Sequence, residues 1–87
     1  MPPPFEGTYT RQFLADLTDL GPAVQWRIMN AIETKLLTDP FQHARKLVNE
    51  KGPGLWRFRV GDYRIRFDME DRRLIFYRVR HRREIYR

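Results

Sequence analysis

Between residues 54 and 67 the chain reads GLWRFRVGDYRIRF, which sets Arg57, Arg59, Arg64 and Arg66 at alternate positions on either side of Gly61-Asp62. Alternate residues of a strand project to the same face, and a two-residue turn folds the two runs against each other. The hairpin this predicts pairs Val60 with Tyr63, Phe58 with Ile65 and Trp56 with Phe67 on one face. The other face pairs Arg59 with Arg64 and Arg57 with Arg66. The order Gly-Asp suits a type II′ turn better than a type I′ turn. Like charges directly opposite one another weaken a sheet, so folding alone gives no reason for this square of guanidinium groups. A planar guanidinium matches two phosphate oxygens at once, and a bound polyanion supplies the reason.

The rest of the charge points the same way. The 87 residues carry a net charge of +6, yet residues 1–54 hold six basic and six acidic side chains and cancel. Residues 55–87 hold eleven arginines against five acids, so the whole excess lies in the last third. That distribution is the footprint of a polyanion site, with nucleic acid the first candidate and an acidic protein segment the second. A basic face that only aided solubility would have no need of arginine in place of lysine. There is no cysteine, which excludes disulfides and thiolate metal sites and suits a reducing, cytoplasmic setting. His43 and His81 stand apart and form no metal pattern, so the expectation is no metal and no cofactor. Met1-Pro2-Pro3-Pro4 does not read as a signal peptide, and no run approaches the roughly 18 apolar residues of a membrane span. The length fits one domain, residues 1–87.

The elements that must position these arginines follow from pattern. Thr10 reads as the N-cap of a helix in which Phe13, Leu14, Leu17 and Leu20 recur at helical spacing. Gly21 would end that helix in a left-handed conformation, and Pro22 would open a second one bearing Val24, Ile28, Ala31, Ile32 and Leu36. Trp26 and Met29 read as helix packing, and Asp39-Pro40 stops the second helix. QHARKLV reads as a helical turn on which His43 is solvated, EKGPG as a loop, and EGTY as an edge strand. After the MEDRR turn comes LIFYRVRHRREIY, where Ile75, Tyr77 and Val79 share one parity and Phe76, Arg78, Arg80 and Arg82 the other. Turning Ile75, Tyr77 and Val79 toward the helices adds three arginines to the basic face. The expected fold is α+β: an N-terminal helical hairpin packed on one face of a small, mainly antiparallel β-sheet whose other face is basic.

A helical hairpin, then LWRFRVGDYRIRF, then an apolar strand ending in VRHRREIY resembles the RelE/ParE superfamily of toxins from toxin–antitoxin pairs, over nearly the whole chain from Tyr9 to Tyr86. The resemblance implies the RelE-like microbial RNase fold and a cytoplasmic toxin neutralised by a cognate acidic, RelB-like antitoxin, with no membrane role. RelE-like members cleave messenger RNA on the ribosome without metal, whereas ParE-like members bind DNA gyrase and cleave nothing. On the RelE-like reading the chain is an endoribonuclease, with the ribosome and mRNA as partners and a 2′-hydroxyl as the attacking group. Position by position, the resemblance assigns the strand cations to Arg57 and Arg59, the post-turn arginine to Arg64, the late arginine to Arg82 and the terminal tyrosine to Tyr86. Arg66, Arg78 and Arg80 complete the phosphate-binding set. The best-known sites of this kind carry lysines on the first strand; arginine, with a pKa of about 12.5 or above, is a clamp and not a proton donor. Proton transfer then falls to Tyr86 or to His81. Two alternatives stay open: Tyr86 as a stacking group or a lid over the core edge, and His81 as a structural group on the core side.

Overall fold

The computed structural model describes residues 3–85. Strand β1 (Glu6–Tyr9) leads into α1 (Arg11–Thr18) and α2 (Pro22–Ala31), which continues as a π-helical segment, Ile32–Leu36. A short helix α3 (Pro40–His43) precedes β2 (Ala44–Lys46), and β3 (Trp56–Val60), β4 (Tyr63–Glu70) and β5 (Arg73–His81) form a meander closed by α4 (Arg82–Ile85). The sheet runs β1-β5-β4-β3-β2, antiparallel throughout except where β1 lies parallel to β5. The fold is α+β, as the patterning predicts, and EGTY is indeed an edge strand.

Each helix forms for a local reason. The Thr10 hydroxyl accepts from the Phe13 N–H at 3.1 Å, satisfying one of the unpartnered donors of the first turn. Pro22 opens α2 at its first position, where its missing N–H costs nothing. Gly21 departs from expectation: at φ −65° and ψ 155° it is extended, not left-handed, because it serves as the N-cap of α2 and not as the end of α1. Asp39 ends the second helix as expected and then caps α3, accepting from the Gln42 N–H at 3.2 Å. The QHARKLV stretch divides between the end of α3 and β2, which pairs with β3.

The helical hairpin buries Phe13, Leu17, Ile28, Ile32 and Leu36 against the sheet. Trp26 does not join them; it is 67% exposed, since it lies two residues from Val24 and Ile28 and so points off their stripe. From the sheet come Phe58, Ile65, Phe67, Leu74, Phe76 and Val79. Rings run in series through this core, with Tyr9 stacked on Phe76 at 5.1 Å, Phe76 against Phe67 at 5.4 Å and Phe67 stacked on Trp56 at 6.3 Å.

The β3–β4 hairpin has the register the alternation predicts, from Val60 opposite Tyr63 to Trp56 opposite Phe67. Gly61 has φ 58° and Asp62 is not left-handed, as a type II′ turn requires. Strand β5 corrects the expected parity. Its register against β4 shifts between Arg66 and Phe67, so that Arg66 faces Arg78 but Phe67 faces Phe76. One extra residue, Tyr77, is accommodated as a β-bulge. Leu74, Phe76 and Val79 all face the core in consequence, and Ile75 and Tyr77 do not. The step of three from Phe76 to Val79 cannot be met by strict alternation, and the bulge absorbs the odd residue.

Candidate nucleic-acid interface

On the sheet face away from the helices the register aligns arginines across strands. Arg45, Arg57, Arg66 and Arg78 lie side by side across β2, β3, β4 and β5, and Arg59, Arg64 and Arg80 form a second row across β3, β4 and β5. The square predicted from the hairpin is therefore the middle of a wider array. Arg57, Arg64, Arg66, Arg78 and Arg80 surround a cavity of about 510 Å³. Arg59 is exposed and, with Arg57, Arg45 and His43, lines a shallower hollow of about 350 Å³ over the β2 edge. The basic surface thus continues past the cavity rim.

Two arginines are held by specific acceptors. Arg78 donates Nε to Asp16 Oδ2 at 2.8 Å and Nη2 to Asp16 Oδ1 at 3.2 Å, a two-pronged pair reaching from β5 to α1. The same carboxylate accepts from the Val79 N–H at 3.1 Å. Strand β1 stops pairing at Tyr9, opposite Phe76, so Asp16 takes the place of a strand for an edge N–H that would otherwise lack an acceptor. Burial alone would raise the Asp16 carboxyl. Hydrogen bonds from Arg78, Gln12 and the Val79 N–H, with the charge of Arg78, outweigh it and hold the group below its ordinary 3.8. Arg66 donates Nε to the Gly54 carbonyl at 2.5 Å. Arg64 is buried, at 6% exposure. Among the described residues no acid pairs with Arg57, Arg59 or Arg80.

The loop before β3 forms another wall. Asp68 accepts from the Gly54 N–H at 2.9 Å and the Leu55 N–H at 2.8 Å. Gly54 has φ +85°, and a Cβ there would sit 3.1 Å from Arg66 Cβ and 3.5 Å from Tyr77 Cδ2, so only glycine lets the loop lie this close. Tyr77 lines the cavity beside Arg78 because the bulge turns both toward it. Sequence reasoning missed this residue; the signal was the three-residue step between Phe76 and Val79. Glu50 is the one acid in the described cavity wall.

The remaining candidates lie elsewhere. His81 pairs with Tyr63, its ring edge-on to the tyrosine at 5.2 Å, and its Nδ1 accepts from the Arg83 N–H at 3.2 Å. Strand β5 ends at His81, so Arg82 does not extend the alternation but opens α4. Its N–H donates to the Asp62 carbonyl at 2.7 Å and its guanidinium stands 3.8 Å from the Asp62 carboxylate. Both line a hollow with Asp62 and not the arginine cavity. Tyr86 lies outside the described residues. Among those residues no group of three or more His, Asp or Glu side chains could hold a metal ion, and no helix is long and apolar enough to cross a membrane.

Residues 8–86 match the family described as ParE toxin of type II toxin–antitoxin system, parDE. This chain belongs to that family. It is thus a toxin of the type II class, within the RelE/ParE superfamily. Its fold is similar to that of solved RelE-type chains. One is in the RelBE2 toxin–antitoxin complex from Mycobacterium tuberculosis, with TM-score 0.82 and 22% identity over 90% of this chain and 98% of that one. A second is in the RelB–RelE complex from Methanococcus jannaschii, with TM-score 0.68 and 24% identity over 90% and 93%. A third is in the archaeal RelE–RelB complex from Pyrococcus horikoshii, with TM-score 0.66 and 22% identity over 91% and 96%. A search of curated proteins returned no significant match.

Proposed function

We propose that this toxin is a ribosome-dependent RNA endonuclease that arrests translation. The observation that carries the reading is the pair of arginine rows around one cavity, with no acid opposed to Arg57 or Arg80 among the described residues. In the reaction the 2′-oxygen of one nucleotide attacks its own 3′-phosphate. The 2′-O–P bond forms, the P–O5′ bond breaks, and the products are a cyclic phosphate and a free 5′-hydroxyl. The five-coordinate phosphate gains negative charge on the way, and Arg57, Arg64, Arg66 and Arg80 are its electrostatic partners, with Arg59 and Arg78 binding flanking phosphates. Such cations act most strongly where water is displaced, and the burial of Arg64 favours it as the innermost contact. One proton leaves the 2′-hydroxyl and one reaches the 5′-oxygen. The packing of His81 against Tyr63 favours Tyr86 for this transfer, with Arg82 nearby in sequence as its cationic support. The toxin works in the cytoplasm, and its own partner is an acidic antitoxin, a reading supported by the antitoxin-bound state of the three similar structures.

A second reading has one observation behind it: the matched family bears the name of ParE, whose characterised members poison gyrase without cutting RNA. A paired experiment separates them. Purified toxin is added to translating ribosomes, with cleavage read by toeprinting, and to a gyrase supercoiling reaction. Cut message and unaffected gyrase are expected, together with loss of cutting in Arg80→Ala. Intact message with inhibited gyrase would overturn the nuclease reading.

A further inference from the structure

We propose that the ring of Tyr77 is a stacking platform for a nucleobase of the RNA strand whose phosphates the arginines hold; the inference rests on the RNA-binding reading above. Tyr77 is the one aromatic side chain in the described wall of the 510 Å³ cavity. That space lies within the roughly 300–1,000 Å³ of small-ligand sites, enough for a nucleotide. The residue is there because of the bulge: a regular β5 would have turned Tyr77 away from Arg78.

The ring is braced from several sides. The Tyr77 backbone carbonyl accepts from the Thr10 hydroxyl at 3.3 Å, fixing the bulge to the start of α1. Gly54 closes on it so tightly that an added Cβ would be in van der Waals contact with the ring, and that loop is in turn clamped by Asp68 and Arg66. Burial, and then the carboxylates of Asp68 and Glu70, push the phenol above its ordinary 10.0. It stays neutral amid the arginines and is ill suited to lose a proton. A rigid neutral π-face beside phosphate clamps is the usual arrangement for holding single-stranded RNA, in which bases stack on aromatic rings while cations track the backbone.

The test uses fluorescence anisotropy at low salt with two probes: a short single-stranded RNA, and the same ribose-phosphate chain made abasic. Tyr77→Leu should weaken binding of the base-bearing RNA about 5- to 100-fold, the scale of one lost stacking contact. It should leave the abasic strand unaffected, and Tyr77→Phe should match the parent on both. Should Tyr77→Leu fail to fold, the parent itself must favour base-bearing over abasic RNA by a similar factor, and Tyr77→Trp must widen that preference. Equal weakening of both probes would make Tyr77 a brace for the loop and nothing more. No weakening of either would remove it from the site. If the parent binds neither probe, the RNA reading fails and takes the platform with it.

Discussion

Replacing Asp16 separates stability from charge on the basic face. Alanine there removes the acceptor of the Val79 N–H and the partner of Arg78 together. A backbone donor left without an acceptor costs about 1–3 kcal/mol. Arg78 is 38% exposed, so the ion pair counts on the surface scale of up to about 1 kcal/mol despite the 12% exposure of Asp16. Together these predict a loss of about 1–4 kcal/mol, or about 4–32 °C in Tm for a domain of this size. Asp16→Asn keeps one oxygen for Val79 and should lose roughly half as much. Because the carboxyl is depressed in the folded state, its contribution is complete above the ordinary 3.8 and disappears as pH falls through its lower folded value. The Tm gap between parent and Asp16→Asn should therefore be full at neutral pH and close in acid. Differential scanning calorimetry across that range is the assay. An alanine variant that melts within about 2 °C of the parent, or a gap that persists in strong acid, would refute the assignment of Asp16 as edge acceptor and clamp.

Other outcomes follow from the same geometry. Arg57→Ala and Arg59→Ala should each reduce the steepness of the log–log salt dependence of RNA binding by about 0.7, the share of one phosphate contact, as titrations at several ionic strengths would register. Glu50→Gln removes the acid from the cavity wall and should tighten RNA binding about two- to fivefold at low salt, an effect that fades at high salt. Gly54→Ala forces a side chain into the left-handed region and against Arg66, and thermal melts should show a loss of about 1–3 kcal/mol. Tyr86→Phe should lower single-turnover cleavage on ribosomes about 10²- to 10⁴-fold while ribosome affinity holds; equal rates would pass proton transfer to another group.

The β3–β4 hairpin was readable from sequence because two constraints agreed: five alternating residues on each side and a two-residue turn that admits one register. The cap at Thr10 and the proline at the start of α2 were readable because each is a chemical requirement of a helix end. Strand β5 was harder. Leu74-Ile75-Phe76-Tyr77 offers apolar residues to both faces, so parity there depends on which of them the helices cover, and α1 chooses Phe76 through Phe13 at 5.6 Å. That choice is tertiary, and it is what moves Tyr77 to the basic side. Arg82 departs from the expected alternation for a related reason, since the strand ends where Arg82 begins to bond the β3–β4 turn. Strand β2 spans three residues, too few for alternation to be recognised, and exists because β3 offers it an edge.

The parallel pairing of β1 with β5 also makes the basic face depend on contacts between distant parts of the chain. Thr10 meets Tyr77 across 67 positions and Asp16 meets Arg78 across 62. Both arginine rows end on β5. A chain emerging from the ribosome can form its helices early, but they wait with their apolar faces uncovered until the last strand arrives. The two arginine rows are not complete until residue 80 is free to pair. The array is completed in one step, when β5 slots between the first strand and the fourth.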